Sequence, residues 1–172
     1  VNSVRSKSVE VSHLLTLSNF DMIIFQESKL GLDDIAHWLS SPHFELVRRD
    51  RCRRGGGILI FVNKKHTLRS TLIHAEYESI VLKLKVGNQI ASFIVSYCPR
   101  FGHPGYLDHL VDLLIEVDSL GPTFIIGDLN HNLLTPRGKP LTDILSTYNF
   151  RSLNSSITRP ASSSLIDVIF SN

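Results

Sequence analysis

Cysteine is scarce: the 172 residues hold two, Cys52 and Cys98. Two thiols make no disulfide framework and match no zinc-ligand spacing, and such usage points to a reducing compartment. Long apolar runs are lacking as well. None approaches the roughly 18–20 residues that a membrane span needs. No basic segment followed by an apolar stretch opens the chain, so no secretory leader is expected there. Charge of one sign is not in excess either: the net charge is +2, with 20% charged and 42% hydrophobic residues. That balance excludes a disordered tail. It suits one domain, 1–172, with a core of its own.

What is present is unevenly placed. Arg48, Arg49, Arg51, Arg53 and Arg54 share one short window beside Gly55-Gly56-Gly57. A basic cluster at a glycine turn can meet phosphates, although a solvated loop is the commoner role of a charge run.

Strands and helices alternate along the chain. Val9, Val11, Leu14, Leu15 and Leu17 form a loose helical stripe, and Met22-Ile23-Ile24-Phe25 is a short apolar run of the buried-strand kind. Asp33 to Leu39 suits one short helix before Pro42. Ile58 to Val62 follows the glycines as a strand. Ile80, Leu82, Leu84 and Val86 alternate with Lys83 and Lys85, and Val86-Gly87-Asn88-Gln89 makes a hairpin turn into Ala91 to Tyr97. Leu107, Leu110, Val111, Leu114 and Ile115 predict a helix, stopped by Gly121 and Pro122. Thr123 to Ile126 is a strand, Leu141 to Tyr148 a helix, and Leu165 to Phe170 the last strand. The order argues for a layered α/β sandwich.

Ligands of α/β sheets bind beyond the carboxyl ends of strands, and four such ends carry polar groups. They are Gln26-Glu27, Ser96-Tyr97, Gly127-Asp128-Leu129-Asn130, and Asp167 inside its own apolar run. Taken singly, the first three have plain explanations: an exposed end, a half-buried tyrosine, an ordinary turn. A carboxylate flanked by Leu165, Ile166, Val168 and Ile169 is harder to explain. It is costly to bury unless a partner, a histidine or a metal meets it.

The ordered set Gln-Glu, Ser-Tyr-x-Pro, Gly-Asp-Leu-Asn and Ser-Leu-Ile-Asp resembles the endonuclease/exonuclease/phosphatase superfamily. The resemblance is closest to the endonuclease domain of LINE-type (non-LTR) retrotransposons. Arg54-Gly55-Gly56-Gly57-Ile58, Gly127 to Leu134, Thr158-Arg159-Pro160 and Ser164 to Asp167 look like segments of those domains. The resemblance implies a DNase I-like fold: a four-layer α/β sandwich of two mixed sheets. It implies hydrolysis of DNA phosphodiester bonds with magnesium or manganese. Glu27 would bind the cation, Asp128 would activate or orient the attacking water, and Asn130 would position phosphate and that aspartate. Tyr97 would bond phosphate, and Asp167 would orient a catalytic histidine. Lys29, Arg54, Arg100 and Ser164 would touch nucleic acid. DNA would be the partner, with no membrane involved and action in the nucleus. A reverse transcriptase domain would fit in the parent polyprotein.

Two pieces of that pattern are missing. Asn2 matches its second polar position near the first strand, so the Asn beside the metal would fall before Val1. The Ser-Asp-His segment would fall after Asn172. The expectation is a fragment lacking first and last strands, with bared sheet edges and impaired or no activity. Two alternatives stand beside the endonuclease. One is another phosphodiesterase or phosphatase of the superfamily. The other is a non-catalytic nucleic-acid-binding remnant, supported by the arginine window.

Overall fold

The computed structural model describes residues 3–17, 19–34, 37–117 and 121–172. Asn2 therefore lies outside the described residues. Two sheets pack face to face, with helices on both outer sides. The smaller sheet is β1 (Met22–Gln26), β3 (Ile58–Asn63) and β2 (Phe44–Arg49), in the order β1-β3-β2. Both of its pairings are antiparallel, so this sheet is not mixed as expected. The larger sheet runs β4 (Thr67–Ile73), β5 (Glu78–Val86), β6 (Gln89–Tyr97), β7 (Thr123–Asp128), β9 (Asp167–Ser171), β8 (Arg151–Ser152). It is mixed, because β6 and β7 are parallel. The crossover between them contains α2 (Tyr106–Glu116).

The four layers follow from side-chain alternation, since successive residues of a strand face opposite sides. Along β3, Ile58, Ile60 and Val62 meet Ile80, Leu82, Leu84, Val95 and Tyr97 between the sheets. Leu59 and Phe61 face the other way, onto Val11 and Leu15 of α1 (Ser8–Thr16). With both faces covered, the strand is apolar from Ile58 to Val62. On the far side, Val81, Ile94, Ile125, Val168 and Phe170 pack against α2 and against Leu141 and Leu145 of α3 (Lys139–Thr147).

Several expectations change. Val9 is 78% exposed, so α1 buries a narrower stripe than the sequence suggested. Of the Asp33 to Leu39 helix, only a 3-10 turn at His37–Leu39 is described. β1 is half-buried rather than buried, because it is an edge strand. The buried face of α2 is Tyr106, His109, Leu110, Leu113 and Leu114, while Ile115 is 68% exposed. The face is rotated because Tyr106 and His109 enter the core through hydrogen bonds. Tyr106 Oη bonds Ser96 Oγ (2.8 Å), Ser96 bonds Ser79 (2.8 Å), and Ser79 bonds His109 Nε2 (3.1 Å). No described helix is long and apolar enough to cross a membrane.

Candidate active site

The arginine window is partly exposed, with Arg51, Arg53 and Arg54 in the loop after β2, yet most of its charges are paired. Arg48 and Arg49 belong to β2. Arg48 Nε donates to Asp50 (2.7 Å) and Arg51 to Glu78 (2.6 Å), while Arg49 donates to the carbonyls of His74 and Ala75. Arg53 bonds Asp34 (3.1 Å), which also pairs with Arg5. Glu78 in turn accepts the Gly57 N–H at 2.5 Å. Gly57 has φ 91°, a left-handed conformation that favours glycine. Arg49, Arg51 and the Gly57 N–H thus hold the β2–β3 connection onto Glu78 of β5, and Arg53 ties it to Asp34. Arg54 is exposed and has no ion pair among the described residues.

The carboxyl ends of β1, β6 and β7 come together at one end of the sandwich. The Tyr97 hydroxyl donates to Glu27 Oε1 at 2.5 Å. Burial and the neighbouring Glu27 hold its proton more firmly than in a free tyrosine. Gln26 spans the two sheets: its amide nitrogen donates to the Ser96 carbonyl (2.7 Å), and its Oε1 accepts the Asp128 N–H (2.5 Å). Such an approach needs Gly127, where a Cβ would collide with the Ser96 carbonyl oxygen. Asn130 adopts φ 51°; its N–H donates to Asp128 Oδ1 (3.2 Å) and its side-chain amide to the Cys98 carbonyl (2.6 Å). Glu27 is also left-handed, at φ 54°. Left-handed non-glycine residues at two strand ends mark a strained locality.

Asp167 corrects an expectation: it is exposed, not buried in its apolar run. Val168 and Phe170 face the core, and the alternate position of Asp167 faces the opening. It stands directly across the antiparallel ladder from Asp128, which puts both carboxylates on one side of the sheet. Among the described residues its carboxylate bonds no histidine. Asp128 is 8% exposed. Burial, with the Asp167 charge next, pushes its carboxyl up to about 6.

Glu27, Asp128 and Asp167 line a hollow of about 630 Å³ with Asn154, Thr158 and Arg159. Thr158 Oγ1 accepts the N–H groups of Ile166 and Asp167, and the Asn154 side chain bonds the Asp167 carbonyl and the Ile169 N–H. The expected contacts divide. Arg100, Asn130 and Ser164 line an adjoining hollow of about 380 Å³, whereas Lys29 and Arg54 line neither. Arg159 borders both. Sequence reasoning passed over Gln26, Asn154 and Arg137. Only the Gln-Glu pair at a strand end hinted at one of them.

Among the described residues no three of His, Cys, Asp and Glu gather into a metal-holding cluster. The all-oxygen donors and the mutual repulsion of Asp128 and Asp167 still fit a hard divalent cation, which takes one or two carboxylates and keeps its waters.

No family model matches the chain, and no curated protein matches it. Solved structures do. The 3′–5′ exonuclease NExo from Neisseria meningitidis superimposes with a TM-score of 0.75 at 17% identity, covering 100% of this chain and 84% of that one. The endonuclease domain of TRAS1, a telomere-specific non-LTR retrotransposon, gives 0.66 at 13% identity, over 95% and 78%. An endonuclease/exonuclease/phosphatase family protein from Bacteroides thetaiotaomicron gives 0.65 at 16%, over 97% and 74%. The chain has the DNase I-like α/β fold of the endonuclease/exonuclease/phosphatase proteins.

Proposed function

We propose that this chain is the hydrolytic domain of a divalent-cation-dependent endonuclease that nicks DNA, as in target-site nicking by a non-LTR retrotransposon. One observation carries the reading: Asp128 and Asp167 stand opposite each other across the ladder, on the wall of a hollow that Glu27 and Arg159 also line. Burial raises the Asp128 carboxyl above the usual carboxylate range, which makes it the readier of the two to take a proton. Asp128 takes the proton of the attacking water. The Asn130 N–H and the Gln26-bound backbone of Asp128 hold that carboxylate in place. The guanidinium of Arg159 faces the charge that builds on the phosphoryl oxygens, where a fixed cation is worth most. Tyr97 keeps its proton and orients Glu27. Glu27 and Asp167 would hold magnesium or manganese, whose chemistry is to offset phosphoryl charge and lower the pKa of a bound water.

Supercoiled plasmid with magnesium provides the test. Open circles are expected, and Asp128→Asn should slow their appearance by roughly 10³-fold with the fold intact. Undiminished nicking by Asp128→Asn would sink the assignment. So would cleavage of a phospholipid headgroup with plasmid untouched, which would favour another phosphodiesterase of this fold.

A further inference from the structure

A buried row of hydroxyl groups lies behind the carboxylates and takes no part in the hydrolysis. Ser79 and Ser96 stand directly across the β5–β6 ladder. Tyr106 Oη, Ser96 Oγ, Ser79 Oγ and His109 Nε2 form one unbranched line, and all four residues are buried. These atoms meet no other partner among the described residues. The line has three hydrogen bonds and three hydroxyl hydrogens. Every hydrogen is used only if Tyr106 donates to Ser96, Ser96 to Ser79, and Ser79 to His109. His109 Nε2 is then bare, with the ring neutral and its proton on Nδ1. A proton on Nε2 would put four hydrogens into the three bonds and strand a buried donor. Burial, with His74 next, favours the same neutral ring.

The row reaches the site at two places. The Ser96 carbonyl is the one that Gln26 grips, and Gln26 also holds the Asp128 N–H. The parallel register of β6 and β7 ends at Val95 and Ile126, so Gln26 supplies a link where the ladder stops. At the other end, the Tyr106 ring stacks on His131 at 6.3 Å. His131 is tied to the Leu129 carbonyl (2.7 Å), within the turn that bears Asp128 and Asn130.

We propose that His109 is a positioning residue for the reacting carboxylate: as the last acceptor of the hydroxyl row it fixes Ser96 and Tyr106, and through them the backbone of Asp128. It touches neither substrate nor cation. A bare imidazole nitrogen suits the task because it accepts without offering a hydrogen in return. A hydroxyl there would add one more donor in need of an acceptor, and a carboxylate would bury a charge. The effect on rate rests on the nuclease reading; the effect on the Asp128 backbone does not.

Histidine nitrogen NMR near neutral pH reads the tautomer. The His109 proton is expected on Nδ1, and a proton on Nε2 would overturn the proposal. His109→Leu removes the acceptor and keeps the bulk, whereas His109→Gln offers a carboxamide oxygen in place of Nε2. Ser79→Ala cuts the row with a smaller change and carries the same expectations should His109→Leu fail to fold. In amide hydrogen exchange without metal, His109→Leu should speed the Asp128 N–H about tenfold and the β3 amides less than about twofold, with His109→Gln restoring the parent rate. In plasmid nicking with magnesium, His109→Leu should lower kcat about tenfold and change KM less than about twofold, again restored by His109→Gln. Unchanged Asp128 exchange, acceleration spread evenly over both sheets, an unchanged kcat in a protein that nicks, or His109→Gln behaving like His109→Leu would each overturn the positioning role. Asp128 exchange that follows the acceptor in a protein that nicks no plasmid removes the nuclease reading alone. Nicking with Asp128 exchange indifferent to His109 removes the positioning role alone.

Discussion

Two groups of arginines divide this molecule. Arg48, Arg49, Arg51 and Arg53 are crowded in sequence, and each is engaged: with Asp50, with backbone carbonyls and Glu78, with Glu78, and with Asp34. Arg100, Arg137 and Arg159 are scattered in sequence, converge in space and meet no carboxylate at bonding distance. Density along the chain therefore marks the group held by anions of the fold, and convergence across it marks a group left without them. What separates them is the partner: Glu78 is nearly buried, with its side chain 5% exposed, and a buried carboxylate takes the nearest cations for itself.

The sharpest way to break the comparison is Glu78→Gln. It leaves Arg49 and Arg51 without their shared anion, and should cost about 3 kcal/mol, or roughly 6–12 °C in Tm, with DNA affinity unchanged. Calorimetry and anisotropy on the same sample check both halves. A loss of affinity larger than the loss of stability would put the crowded arginines in the binding surface.

Acid offers a control that touches neither group. Burial, then the neighbouring His74, pushes His109 down to about 4 from its ordinary 6.5. The native state binds the neutral form, so its contribution is complete above pH 6.5 and is lost as pH falls from 6.5 through 4. Between pH 7 and 5 the His109 contribution alone should fall by about 2 kcal/mol, partly offset by Asp128, which gains a proton in the folded state over the same window; the difference between the parent and His109→Gln in denaturant titration isolates it. Asp34 is held below the usual carboxylate range, first by the Gly31 N–H, so the Arg53 pair persists over that window.

Salt sharpens the contrast further. Arg100→Gln should reduce the slope of log affinity against log salt by about one, and Arg51→Gln should leave it unchanged. Smallest of all is Arg53→Gln. Its side chain is 64% exposed, and screened pairs contribute little, so Tm should move by no more than about two degrees.

The sequence made the central strands legible because both of their faces are covered: Ile58 to Val62 has no polar interruption. β2 and β4 escaped notice for the opposite reason. Both are edge strands; β2 ends in Arg48-Arg49, and β4 is exposed at every position but Leu68. Asp167 was misjudged because an apolar flank was taken for burial. Alternation sends Val168 inward and the aspartate out. The ordered polar strand ends were readable as a set, and Glu27, Tyr97, Asp128, Asn130 and Asp167 do meet at one end of the fold. Their partners were not readable. Nothing local in the sequence reveals that Gln26 reaches Ser96 and Asp128, or that Phe101 and Arg137 become neighbours, since those contacts exist only once two sheets and a crossover are assembled.

The Gln26 side chain has a mechanical consequence. It belongs to β1, whose outer edge carries no strand among the described residues, yet it grips the backbone of both parallel strands beneath the carboxylates. One side chain at the rim of the smaller sheet therefore ties together the ends of β6 and β7, and the outer edge of β1 lies a single hydrogen bond away from the backbone of Asp128.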